Sequence, residues 1–142
     1  MGQYLLRLII AGILGFIMGL TNNVQDNTQS SRVFAIICIG AALITITALG
    51  IYQSMDIPWV GDPGRMPAQV ISALGFLGTG MIWVTQDKKV LGITGAASLW
   101  LTAILGMLIG VGLNQPSILG AIFFILIFKL SPYIPVRKRT RK

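Results

Sequence analysis

Five apolar stretches of helix length, separated by short polar or proline-punctuated connections, govern what this sequence can fold into. They run roughly over Tyr4–Asn22, Val33–Gln53, Met66–Val84, Leu91–Leu113 and Ser117–Tyr133. A helix rises about 1.5 Å per residue, so the hydrocarbon core of a bilayer takes about 20 mostly apolar residues to cross. A soluble domain usually carries about a quarter charged residues, whereas this chain of 142 residues has 11% charged against 54% hydrophobic. One soluble core cannot hide that much apolar surface, so the bilayer is the expected solvent. The fold class that follows is an all-α membrane protein, a compact bundle of five transmembrane helices.

The distribution of charge orients the bundle. Five of the eleven Lys and Arg lie in the last six residues (Arg137, Lys138, Arg139, Arg141 and Lys142), directly after the fifth apolar stretch. That is where a positive-inside flank belongs, and it argues against reading the net charge of +7 as a nucleic-acid surface. Residues 1–135 then form the transmembrane domain and 136–142 a basic cytoplasmic tail. Five spans put the N-terminus outside. Arg32, Lys88 and Lys89 fall inside with the tail, and Asp56, Asp62 and Arg65 fall in an outer loop. Arg7 and Lys129 lie within spans but near enough to an end to snorkel. The first stretch lacks a small-x-small cleavage site and reads as an uncleaved span rather than a signal peptide.

The third stretch, with its entry, reads DPGRMPAQVISALGFLGTG over Asp62–Gly80 and is unusually polar for a lipid anchor. On a helix turning about 100° per residue, Arg65, Gln69, Ser72, Phe76 and Thr79 share a stripe about 80° wide. A glutamine in hydrocarbon is costly unless it is hydrogen-bonded, so this face should meet protein or water. Two readings stay open: glue between helices of the bundle, or a lined cavity or partner surface with Arg65 at its mouth. Asp62 and Pro63 suit a helix start, Pro67 would break the next turn, and Asp62 can reach Arg65. Gly75, Gly78 and Gly80 are candidates for close helix packing, as are Gly12, Gly15 and Gly19 in the first stretch and Gly106 and Gly110 in the fourth.

The fourth stretch carries Thr94, Ser98 and Thr102 at steps of four. They form either a hydroxyl ridge on one face or groups bonded back to their own i−4 carbonyls. The short Thr85–Val90 loop makes the third and fourth helices antiparallel, with Thr94 near the level of Thr79. Trp100 lies too deep for an interfacial belt and should pack between helices, whereas Trp59 and Trp83 fit the interface.

The inventory also excludes chemistry. There is no His and no Glu; Cys38 is the one cysteine; and Asp26, Asp56, Asp62 and Asp87 are the only carboxylates, none of them inside a span. Neither a metal site nor a cofactor is expected, and no nucleophile–base arrangement suggests an enzyme. An intramembrane carboxylate, usual in proton-coupled carriers and divalent pores, is missing.

Asp62–Gly80, and Gly92-Ile93-Thr94-Gly95-Ala96-Ala97-Ser98-Leu99-Trp100 after it, resemble the MgtC/SapB family of bacterial membrane proteins. The family pattern reads approximately D-P-x-R-x-x-A-Q-V, then G-F-L-G-x-G, then G-L-T-T-A-A-x-x-W. The matches are Asp62, Pro63, Arg65, Ala68, Gln69, Val70, Gly75, Phe76, Leu77, Gly78, Gly80, Gly92, Thr94, Ala96, Ala97 and Trp100. Where the family usually has a Glu-Arg pair after the first span, Gly19 is followed here by Leu20, Thr21, Asn22 and Asn23. The chain resembles the short, SapB-like form without the C-terminal soluble domain. The resemblance implies a multi-pass protein of the bacterial cytoplasmic (inner) membrane, linked to magnesium homeostasis, low-magnesium growth, virulence through survival inside phagocytes, and restraint of the F-type ATP synthase. The expected function is regulation through intramembrane protein contacts. Its expected binding residues are Asp62, Arg65, Gln69, Ser72, Thr79, Thr94, Ser98 and Trp100, and its expected packing residues are Gly75, Gly78, Gly80 and Gly92. The alternatives are a transporter or channel for a cation such as Mg2+ or another small solute, and a packing factor whose polar stripe only holds its own bundle together. The small-residue faces also suit a homo-oligomer.

Overall fold

The computed structural model describes residues 2–22, 27–54 and 62–130, without the side chains of 27–30 and 128. Its elements are α1 (Gly2–Thr21), α2 (Asn27–Ser54), α3 (Arg65–Gly80), β1 (Trp83–Val84), β2 (Val90–Leu91), α4 (Ile93–Val111) and α5 (Asn114–Leu130). The basic tail, Asp26, Asp56, Trp59 and the end of the fifth stretch toward Tyr133 lie outside the described residues. The all-helical expectation holds, apart from one two-stranded hairpin.

Three helices are long and apolar enough to cross a membrane: α1, residues Ser31–Ser54 of α2, and α4. The five expected spans are thus three by length and composition. α3 has 16 residues and α5 has 17, which makes them about 24 to 26 Å long. The third stretch falls short because its helix ends at Gly80 rather than Val84. The Met81 N–H donates to the Gly78 carbonyl and the Ile82 N–H to the Thr79 carbonyl, both at 3.1 Å, closing the last turn. Ile82-Trp83-Val84-Thr85 is β-branched and aromatic, a composition that prefers extended chain. It pairs antiparallel with the return segment, Trp83 opposite Leu91 and Val84 opposite Val90. The Thr85–Lys89 turn is held by the Lys88 N–H on the Thr85 carbonyl and the Thr85 N–H on the Lys89 carbonyl, both 2.9 Å. Gly92 then starts α4 from φ +89°, and a Cβ there would run into the carbonyl oxygen of Met81.

Lipid tails are as apolar as leucine, so helices in a bilayer associate through close packing rather than hydrophobic expulsion. That need selects small residues at the contacts. α1 and α2 form an antiparallel pair in which Gly15 lies against Phe34, Ala35 and Cys38, and Gly19 lies against Ser31. α4 touches all four other helices and is the centre of the bundle. Its Gly106 rests on the Cys38 backbone of α2, and Gly110 rests on Ala42 and Thr45. The core around these contacts includes Ala11, Met18, Phe34, Ala41, Leu99, Ala103, Leu105 and Ile109. α3 packs on α4 and α2 at the side of the bundle.

Arg7 does not snorkel toward water. It is partly buried, and its Nη1 donates to the carbonyl of Gly110 at 2.8 Å. α4 ends in a left-handed cap at Gly112, whose N–H returns to Leu108 and Ile109, and the Arg7 guanidinium lies against that glycine. A cation at the carbonyl end of a helix is favourable both as hydrogen-bond donor and against the helix dipole. Arg7→Met keeps the apolar stem and removes the charge and the donor, leaving the Gly110 carbonyl without its partner. The expected loss is about 1.5–3 kcal/mol, read as a lower midpoint of thermal unfolding in detergent. An unchanged midpoint would show that the contact contributes nothing to stability.

Candidate functional site: the outward face of α3

Leu74 and Gly78 turn α3 toward the bundle, where Gly78 sits in ordinary contact with the Cβ of Ala96, 3.6 Å from where its own Cβ would be. This contact sets α3 and α4 antiparallel and brings Thr79 and Thr94 to similar levels, as the short connection predicts. The opposite side of α3 carries the polar stripe. Arg65, Gln69, Ser72, Phe76 and Thr79 are all exposed, and Phe76, at 81%, is the most exposed large hydrophobic residue among those described. Ala68, Ala73, Gly75 and Gly80 flank them, also exposed. Among the described residues the stripe therefore faces away from its own bundle, and it glues none of the described helices together. The Thr79 hydroxyl is taken up locally, donating to the Phe76 carbonyl at 2.7 Å.

Expected packing at the motif glycines also divides by direction. Gly75 and Gly80 have nothing within 4 Å of where a Cβ would stand, so neither packs a helix within this chain. Gly92 serves the turn into α4 rather than a helix contact. Close packing falls instead to Gly15, Gly19, Gly106 and Gly110, which carry the same small-residue signal in the sequence.

The α4 residues do not join the stripe. Ser98 and Thr102 are buried and bond back to the carbonyls of Thr94 and Ser98 at 2.7 and 2.8 Å, whereas Thr94 itself is exposed. Of the two open sequence readings, the i−4 back-bond is the one observed. Trp100 is 46% exposed and lines a cleft of about 480 Å³ among α2, α3 and α4, with Pro67, Ile71 and Ile104. A second cleft, between α1 and α5, is walled by aliphatic residues such as Ile13, Ile17 and Ile122. Neither cleft is lined by Arg65, Gln69, Ser72 or Thr79.

At the entry to α3, the Asp62 carboxylate accepts from the Gly64 N–H at 2.8 Å, an Asx-type turn that sets the chain into the helix. The helix cap position is Gly64, with no side-chain bond, and Asp62 forms no ion pair with Arg65. Both ends of that expected pair stay exposed. Two residues take roles that the sequence did not assign them. Arg7 left the signal of a basic residue a turn inside an apolar stretch. Asn22, 2% exposed at the end of α1, has an Nδ2 without a hydrogen-bond partner. It stands in the segment where the Glu-Arg pair is replaced. Among the described residues, no three of His, Cys, Asp and Glu come together.

The outward faces of the outer helices differ in kind. α1 presents Leu5, Leu6, Ile9, Ile13 and Ile17, and α5 presents Ile118, Leu119, Ile122, Phe123 and Leu126, as lipid-facing helices do. Of these three helices, α3 is the one whose described residues combine glycine, alanine, hydroxyl, amide and guanidinium on that side. The sequence model of the MgtC family matches residues 8–135, a span that contains both motifs, most of α1 and the whole of α2 to α5. The chain belongs to the MgtC family. Among its MgtC-family relatives, "Putative magnesium transporter YhiD" of Escherichia coli K12 is 32% identical over 130 residues, covering 90% of this chain and 60% of that protein. Protein MgtC of Salmonella typhimurium 14028s is 34% identical over 112 residues, covering 79% and 45%. Protein SapB of Bacillus subtilis is 28% identical over 136 residues, covering 94% and 58%. The chain thus spans about half to three fifths of the length of these relatives. No solved structure matches it.

Proposed function

We propose that this chain is a non-enzymatic, multi-pass protein of the bacterial cytoplasmic membrane that regulates another membrane protein by binding it through the outward face of α3. The observation that carries this reading is the contrast between that face and the predominantly apolar outer faces of α1 and α5. An amide in hydrocarbon demands a hydrogen-bond partner, and a glycine-flanked helix face admits a neighbouring helix closely. In this reading all five helices cross the bilayer with the N-terminus outside. Arg32, Lys88, Lys89 and Lys129 then share the cytoplasmic end, and Asp62 and Arg65 the outer one. The shorter α3 and α5 are accommodated by local thinning of the bilayer. Resemblance suggests the F-type ATP synthase as the first partner to try, and low magnesium as the condition.

The wording of YhiD's name favours a second reading, magnesium transport. In that case the stripe would line a path completed by another chain, since it lies on the outside of this one. One pair of substitutions separates the two. Gln69→Leu with Thr79→Leu is expected to abolish co-purification of the partner from magnesium-limited membranes and to leave Mg2+ flux into proteoliposomes at background throughout. Selective flux through the parent protein that the double variant loses would overturn regulation in favour of transport. Both positions are exposed, so the stability of the purified protein, read from its thermal unfolding, should stay within about 0.5 kcal/mol of the parent.

A further inference from the structure

We infer that the outward face of α3 docks first on the same face of a second copy of this chain, in a parallel two-fold pair. The inference rests on the reading of that face as a protein-binding surface and names its occupant. In a two-fold contact the same patch serves both sides, so every group must find its complement within the patch itself. The α3 face meets that condition group by group. Asp62 and Arg65 are an acid and a base, one turn apart, both exposed and not paired with each other. Two copies inserted in the same direction bring the outer ends of α3 together, so Arg65 of each can meet Asp62 of the other. Gln69 carries two donors and an acceptor on one amide, and is thereby able to pair with its own copy. Phe76 projects as a knob at 81% exposure, and one residue away Gly75 has nothing within 4 Å of its Cβ position. Across a parallel two-fold, each phenyl ring can enter the space beside the other copy's Gly75. A heterologous partner would need to supply an acid, a base, an amide and an aromatic at matched heights, all of which a second copy already has.

Oxidative crosslinking of the full chain in its native membranes tests this. Ser72→Cys, at the centre of the face, should form a covalent dimer. Ile13→Cys on α1 and Ile122→Cys on α5, both exposed but on other faces of the bundle, should not. The native Cys38 is buried, so the parent chain serves as the background. Asp62→Arg alone and Arg65→Asp alone each set like charges against each other across the pair. Each should lower the crosslinked fraction about fivefold, and the two together should restore it. Asp62 also sets the turn before α3, and the restored crosslink in the double exchange separates the inter-copy pairing from that local role. A Ser72→Cys adduct with a different protein, and no dimer, would overturn the second copy while leaving the docking surface standing. A cysteine at 72 that is freely labelled by a lipid-soluble maleimide and forms no adduct at all would overturn both.

Discussion

Gly106→Leu is expected to abolish recovery of monodisperse protein in detergent, and Gly106→Ala to lower the thermal midpoint clearly. At this position α4 lies directly on the backbone of α2, and an added Cβ would overlap the carbonyl of Cys38. A side chain can rotate away from such a contact, but a helix backbone cannot, so even one methyl group must push two helices apart. Gly110, one turn on, rests on the Ala42 carbonyl oxygen, 2.6 Å from its own Cβ position, so the helices cannot pivot about a neighbouring gap. Overpacking of this kind costs about 1–3 kcal/mol and sometimes more, and the α2–α4 contact lies at the centre of the bundle. Gly75→Ala is the control. Nothing stands within 4 Å of that position, and alanine is the better helix former by up to about 1 kcal/mol, so the monomeric bundle should be unchanged or slightly firmer. Equal destabilisation by Gly75→Ala and Gly106→Ala would refute the packing described for α4.

Gly92→Ala is expected to open the hairpin between α3 and α4. The residue holds φ +89°, a region alanine enters only at a cost of about 1–2 kcal/mol, and its Cβ would collide with the Met81 carbonyl. The carbonyl of Gly92 itself accepts the first bond of α4, from the Ala96 N–H at 2.9 Å, so a shift at this point displaces the start of the central helix. Trypsin reports on it, because Lys88 and Lys89 sit in the exposed turn that the two short strands hold closed. Cleavage there should be several-fold faster in the variant than in the parent protein in detergent. Asparagine tolerates the left-handed conformation better than alanine but meets the same carbonyl. Gly92→Asn should therefore fall between alanine and the parent without reaching the parent. Parent-like cleavage in both variants would show that the collision is relieved by a small movement of the loop.

The stripe on α3 was legible because periodicity is local: Arg65, Gln69, Ser72, Phe76 and Thr79 share a face on any regular helix. Its direction was not, because polarity alone does not say whether the protein that a buried amide requires belongs to the same chain. The end of α3 was misplaced for a related reason. Ile82, Trp83 and Val84 are apolar enough to extend a span, and only their pairing with Val90 and Leu91 makes them a hairpin. Arg7 looked like a residue that would reach for water, yet the open carbonyl of Gly110, more than a hundred residues away, offered it a nearer partner.

From the sequence alone follow the membrane class, the helical segments, the gathering of positive charge in the last six residues, and the paired motifs of the MgtC family. All of these are sums or spacings along the chain, set by hydropathy, helix period and residue type. The tertiary structure decided which glycines bear on a neighbouring backbone and which stand open, and which face of α3 points away from the bundle. Gly75 and Gly106 are the same residue in similar apolar surroundings. They differ only in what lies opposite, and that depends on how Cys38 of α2 comes to rest against α4.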